Sequence, residues 1–260
     1  MRGLLWLALL GLLTAPWAHA AIQVREVDYS EGNTALQGKL VYDDSLIGKR
    51  PGVLVFHEWM GPTSYELNRA QQLAQMGYAA FVADVYGKDV RPKNQNEARE
   101  QATKYKSDRP LMRERARAAL ETFRKQQTVD PAHIGAIGYC FGGTTALELA
   151  RSGADIAGVV TFHGGLDSPD PNDTQHIKAQ ILVLHGANDT TMSPEVVSAF
   201  LDGLRKSSAD WQFVEYSGAR HGFSNPANGN DPKSLVAYNE KADRRSWGAM
   251  KDFFSEVFGK

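Results

Sequence analysis

The chain has 260 residues, with 29 Lys and Arg against 30 Asp and Glu, a formal net charge of −1, and 42% hydrophobic residues. With no long run of like charge and no basic stripe, nucleic acids and anionic membranes are not expected as partners. One cysteine rules out an internal disulfide framework, and no H-E-x-x-H or paired Cys/His spacing is present, so no metal and no cofactor are expected.

Residues 1–20 read as a secretory signal peptide, with Arg2 as the positive start, LLWLALLGLL (4–13) as the apolar stretch and Ala18-His19-Ala20 as the cleavage site. That apolar run is shorter than the roughly 20 residues a membrane span needs. The expectation is an exported, soluble single domain over residues 21–260, located in the periplasm if the source is Gram-negative.

Residues 22–29 and 34–42 read as antiparallel strands joined at Glu31-Gly32-Asn33. GVLVF (52–56) is a continuous apolar run, as in a strand buried on both faces. Thr63-Ser64-Tyr65-Glu66 forms a capping box for a helix to about Met76, and AAFVADV (79–85) is the next strand. Helices follow over 94–107 and 110–126, then a strand at 133–139 and a helix from Phe141 to about Ser152. Strands at 156–162, 180–185 and 211–216 flank a helix over 194–206 capped by Ser193 and Pro194, and a last helix covers about 232–257. Strand alternating with helix predicts an α/β fold. Its mostly parallel sheet of about eight strands has helices on both faces and an antiparallel N-terminal edge. In such sheets the site lies beyond the carboxyl ends of the strands.

Gly138-Tyr139-Cys140-Phe141-Gly142 lies between a strand and a helix and has the G-x-C-x-G form of a nucleophile elbow, with sulfur in place of oxygen. A helix N-terminus there favours a thiolate and a developing oxyanion. The competing reading is an inert buried thiol. An elbow calls for an acid and then a histidine in chain order. Asp189, after ILVLH, and His221, in GARHGF (218–223), both sit at carboxyl strand ends. Each alone also fits a plain loop residue. Of the other histidines, His57, His163 and His185 are at strand ends, to line the pocket or satisfy the core, whereas His133 and His176 read as structural or exposed. HEWMG (57–61) follows the GVLVF strand, where the second oxyanion donor belongs, so the backbone amides of Trp59 and Phe141 are the candidate pair. Glu58 either faces solvent or sits near the thiol.

With HEWMG, GYAAFVADVYG, GYCFGG, the Asp189 loop and GARHGF in place, the chain resembles the dienelactone hydrolase (carboxymethylenebutenolidase) family of α/β-hydrolases over nearly all of residues 21–260. The resemblance implies a Cys140-Asp189-His221 triad and a monomer acting on a small ester or lactone. It also implies that Glu58 contacts the thiol and helps deprotonate it when substrate arrives. It further implies a substrate-carboxylate clamp of two arginines. One maps to Arg99 in AREQA, but the other would stand four residues after the histidine, where this chain has Asn225. Two alternatives stay open: a broader carboxylesterase or thioesterase, and a non-catalytic binding or redox-sensing protein on the same scaffold.

Overall fold

The computed structural model describes residues 21–170 and 172–259. The signal peptide expected over residues 1–20 lies outside the described residues. The strands are β1 (Ile22–Glu31), β2 (Thr34–Asp43), β3 (Arg50–Phe56), β4 (Ala79–Ala83), β5 (Val129–Tyr139), β6 (Gly158–Phe162), β7 (Gln180–Gly186) and β8 (Trp211–Tyr216). The helices are α1 (Ser64–Gln75), α2 (Gln95–Ser107), α3 (Arg109–Arg124), α4 (Phe141–Arg151), α5 (Pro194–Lys206) and α6 (Glu240–Val257).

One eight-stranded sheet runs in the order β1-β2-β4-β3-β5-β6-β7-β8. The β1–β2 and β2–β4 pairings are antiparallel, and all pairings from β4 through β8 are parallel. This is the α/β-hydrolase arrangement, with its antiparallel edge at the N-terminus. The chain leaves β3 toward β4 on one side and returns to β5 on the other. The order therefore reverses between β3 and β5, and the carboxyl ends of those two strands open a crevice there.

Side-chain alternation builds the two layers. Leu54 and Phe56 of β3 pack with residues of α2, α3, α4 and α5, while Val53 and Val55 pack with residues of α1 and α6. A strand buried on both faces must be apolar at every position, which is why GVLVF carries no polar residue.

Of the boundaries that differ from the sequence reading, two bear on the site. AAFVADV stops as a strand at Ala83 because the Asp84 carboxylate accepts the amides of Tyr86 and Gly87 at 3.0 Å each and turns the chain. The last helix begins at Glu240 rather than near 232. Asn239 caps it through Ala242 N–H, and residues 236–239 run instead beside the His221 loop. There Ala237 N–H bonds His221 O at 3.1 Å and Asn239 N–H bonds Phe223 O at 2.9 Å. No helix among the described residues is long and apolar enough to cross a membrane.

Helix α4, whose first residue follows the cysteine, is anchored by a buried charge. Glu148, with its side chain fully buried, accepts from Arg109 (3.2 Å) and Arg151 (2.8 Å) on one oxygen and from Arg113 (2.7 Å) on the other. Removing the carboxylate charge would leave these guanidinium groups under-compensated in the interior. Glu148→Gln is expected to lower the unfolding free energy by about 3–5 kcal/mol, read from urea denaturation.

Candidate active site

Strand β5 turns into α4 at Cys140, whose backbone has φ 53° and ψ −114°. An L residue held in this left-handed region is strained, and the surroundings must impose it. Glycine makes that possible at two close approaches. A Cβ at Gly138 would lie 1.9 Å from Gly142 O, and one at Gly142 would lie 2.2 Å from Phe56 O of β3. The helix thus starts directly against the strand ends. Phe141 is its first residue, and its amide has no acceptor within the helix.

Cys140, Asp189 and His221 come together from three strand ends. His221 Nε2 lies 3.0 Å from Cys140 Sγ, and His221 Nδ1 lies 2.9 Å from Asp189 Oδ2. The other Asp189 oxygen accepts the Thr191 amide at 2.9 Å and the Thr191 hydroxyl at 2.6 Å. Burial on its own would raise the Asp189 pKa, but the His221 and Thr191 bonds reverse this and bring it to about 2. For His221, burial opposes the charge, and Cys140 and Asp189 together overcome it, pushing the pKa up to about 10. The sulfur on one side of the ring and the carboxylate on the other thus favour its protonated form.

The loop after β3 is pinned from several sides. The buried imidazole of His57 lies 2.6 Å from Glu58 O through Nδ1 and accepts the Val85 amide at 3.2 Å through Nε2. Burial lowers its pKa, which keeps the ring neutral for both bonds. Glu66 closes the expected capping box with Thr63 and also accepts the Glu58 amide at 2.9 Å. The Tyr86 hydroxyl donates to Trp59 O at 2.9 Å. None of these bonds uses the Trp59 amide, the expected second oxyanion donor.

A cleft of about 530 Å³ opens above the thiol, and Glu58, Trp59, Lys106, Cys140, Thr191 and His221 are among its lining residues. Glu58 reaches the cleft, and Asn225 Nδ2 donates to one of its carboxylate oxygens at 2.5 Å. Asn225, standing where the resemblance led to an arginine, therefore binds an acid of the protein itself. Arg99 is exposed on α2 and is not part of the cleft lining, so the expected clamp is not assembled. Helix α2 turns Gln95 and Lys106 to the cleft instead. Sequence reasoning missed Lys106, although it stands seven residues after Arg99 and so shares its side of the helix. It also missed Thr191, whose signal was its place two residues after the loop aspartate. Of the other strand-end histidines, His163 is fully buried beside the triad, and His185 lines a separate cavity behind Asp189. His133 and His176 are exposed.

The family model described as "Dienelactone hydrolase family" matches residues 36–258. The chain belongs to that family. It is 40% identical to a dienelactone hydrolase-like promiscuous phosphotriesterase from metagenomic libraries. That crystal structure has a TM-score of 0.87, with 91% of this chain and 99% of the other covered. A second solved structure, m3DLH, is 41% identical with the same TM-score and the same coverage of 91% and 99%. A protein of Aquifex aeolicus provisionally named a carboxymethylenebutenolidase is 27% identical over 208 residues, covering 78% of this chain and 87% of its own length. The protein is accordingly a dienelactone hydrolase-like hydrolase.

Burial, followed by the charge of Glu66, pushes the Glu58 pKa up to about 7 from its ordinary 4.5, against the opposing bond from Asn225. The folded state therefore holds a proton that the unfolded chain releases between those values, and stability falls as pH rises through that window. Glu58→Gln is expected to leave stability at pH 4 nearly unchanged and to raise it at pH 8 by about 1–3 kcal/mol, measured by denaturant titration at both values.

Proposed function

We propose that the protein hydrolyses activated carboxylic esters or lactones through a Cys140 acyl-enzyme. The observation that carries this reading is the Sγ–Nε2 contact of 3.0 Å in line with the Nδ1–Asp189 bond of 2.9 Å, at the head of a helix. In this reading the Cys140 thiolate attacks the substrate carbonyl and forms the carbon–sulfur bond. The carbonyl oxygen takes up the charge against the amides of Phe141 and Trp59. Collapse breaks the bond to the leaving oxygen, which takes its proton from His221 Nε2. In a lactone that alcohol stays attached to the acyl chain. A water then gives a proton to the neutral His221 and attacks the thioester. The carbon–sulfur bond breaks, and thiolate and imidazolium are restored. Asp189 orients the ring throughout and offsets its charge. His221 takes the role of proton partner to the thiol in the resting site, because its Nε2 lies 3.0 Å from the sulfur.

Lys106 is the cation on the cleft wall and takes the part of the clamp that Arg99 does not fill. An ester or lactone carrying a carboxylate would be drawn to it as to a point charge, without the two-pronged geometry of an arginine. A second reading is favoured by the relative at 40% identity, which is described as a promiscuous phosphotriesterase. The same thiolate and oxyanion donors suit attack at a phosphoryl centre.

Purified protein assayed with dienelactone, an aryl acetate and an aryl dialkyl phosphate tests both readings. The carboxylic esters are expected to turn over, and Cys140→Ala is expected to lose activity at least about 10³-fold while keeping its thermal transition. A Cys140→Ala variant with most of the wild-type rate would refute the acyl-enzyme. Fast phosphotriester cleavage with idle carboxylic esters would favour the second reading. Lys106→Ala is expected to lower kcat/KM for dienelactone by about tenfold and to leave the neutral aryl acetate within about twofold.

A further inference from the structure

Cys140 N–H points back into the protein, where it meets two acceptors, Phe162 O at 3.0 Å and His163 Nδ1 at 3.1 Å. His163 follows β6, is fully buried, and adopts φ 42°, a left-handed conformation uncommon for a residue with a Cβ. Its ring lies 5.4 Å from the His221 ring at an interplanar angle of 64°. Nothing in the triad requires this second histidine, and the reaction proposed above does not use it.

The bond from the Cys140 amide sets the proton order at His163. A backbone amide can only donate, so Nδ1 must carry the lone pair and Nε2 the proton. Nε2–H then donates to Ser224 Oγ at 2.7 Å. Ser224 Oγ and the Tyr65 hydroxyl share a bond at 2.7 Å, and the Tyr65 hydroxyl also lies 3.1 Å from Ser224 O. Arg69, a donor at every nitrogen, fills what is left. It gives Nη2–H to Ser224 O at 2.9 Å and Nε–H to the Tyr65 oxygen at 3.4 Å, and it is paired with Asp243. The relay runs from α6 through α1 to the amide of the candidate nucleophile. Burial, and then the neighbouring His221, lower the His163 pKa far below the ordinary value, in agreement with a ring that stays neutral.

We infer that His163 is a positioning residue for the nucleophile turn. By accepting the Cys140 amide it fixes the peptide at the strained residue, so that the next amide, that of Phe141, is the one presented to the oxyanion. The inference rests on the acyl-enzyme reading above. It separates two tasks that a structural histidine would serve together. The thiolate belongs to Cys140, His221 and Asp189, whereas the orientation of the oxyanion donor belongs to His163 and its relay.

Two rates measured on the same preparations test this: aryl acetate hydrolysis, which needs an oxyanion hole, and iodoacetamide alkylation of Cys140, which reads the thiolate without one. His163→Leu is expected to lower kcat/KM for the ester roughly 10–100-fold while alkylation at neutral pH stays within about twofold of wild type. His163→Asn places an oxygen near the Nδ1 position and tolerates positive φ, so it is expected to recover most of the ester rate. Ser224→Ala removes the partner of His163 Nε2, together with its bond to Tyr65, and leaves the imidazole in place. It is expected to cost about threefold to tenfold in hydrolysis with alkylation unchanged, and it keeps the test available should the leucine variant not fold. Equal losses in both rates, an asparagine variant no better than leucine, or full hydrolysis in Ser224→Ala would each overturn the inference. Wild type and Cys140→Ala run alongside keep the two claims apart. Without Cys140-dependent ester turnover in the wild type, the acyl-enzyme reading falls and this inference with it. With that turnover present, the variants judge His163 alone.

Discussion

The close approach of α4 to the ends of β5 and β3 is the constraint on which the site depends. Backbone meets backbone there, with Gly138 against Gly142 and Gly142 against the Phe56 carbonyl, and no side chain fits between. This contact forces Cys140 into its left-handed conformation and brings the head of the helix within reach of the β3 loop. It also sets Phe141 and Trp59 side by side, because they belong to the two elements that the glycines let touch. Strain at Cys140 is held by neighbours that cannot relax independently of one another.

Around that turn the charges are sorted by environment. Asp189 is held ionised by His221 and Thr191, and His221 is favoured as a cation by the sulfur and the carboxylate. The adjacent rings are kept neutral: His57 sits among Tyr86 and Phe141, and His163 among Phe223 and Tyr139. A positive charge on either would compete with His221 at short range in a medium of low dielectric constant. Glu58 and Glu66 form the other polar pair, one bound to backbone amides and one to Asn225, and only Glu58 faces the cleft.

Support for the site comes from further away through groups that are themselves buried. Glu148 gathers arginines from α3 and α4, and Arg69 links α1 to α6 through Asp243. A buried ion pair of this kind contributes little net stability against an apolar replacement, yet leaving one partner alone is costly. Such pairs therefore act as registry marks: they penalise a helix that slides or turns relative to its neighbours.

Much of this was legible in the chain itself, for physical reasons. Continuous apolar runs for the parallel strands, the Thr63–Glu66 capping box, Pro194 at a helix start and the glycines around Cys140 are local signals, and each determined its element. The order Cys140, Asp189, His221 after β5, β7 and β8 named the candidate triad because a parallel sheet sends the carboxyl end of every strand to the same edge. The start of the last helix was not legible, since helical periodicity after residue 232 competes with bonds to the His221 loop that exist only in the folded state. The partners of Glu58 and Arg99 were equally out of reach. Asn225 lies 167 residues from Glu58, and which charge on α2 meets the cleft depends on how that helix packs against the rest of the fold. His163 was visible only as a histidine at a strand end. Its tautomer and its hold on Cys140 arise from contacts across 23 and 61 residues, which tertiary packing alone decides.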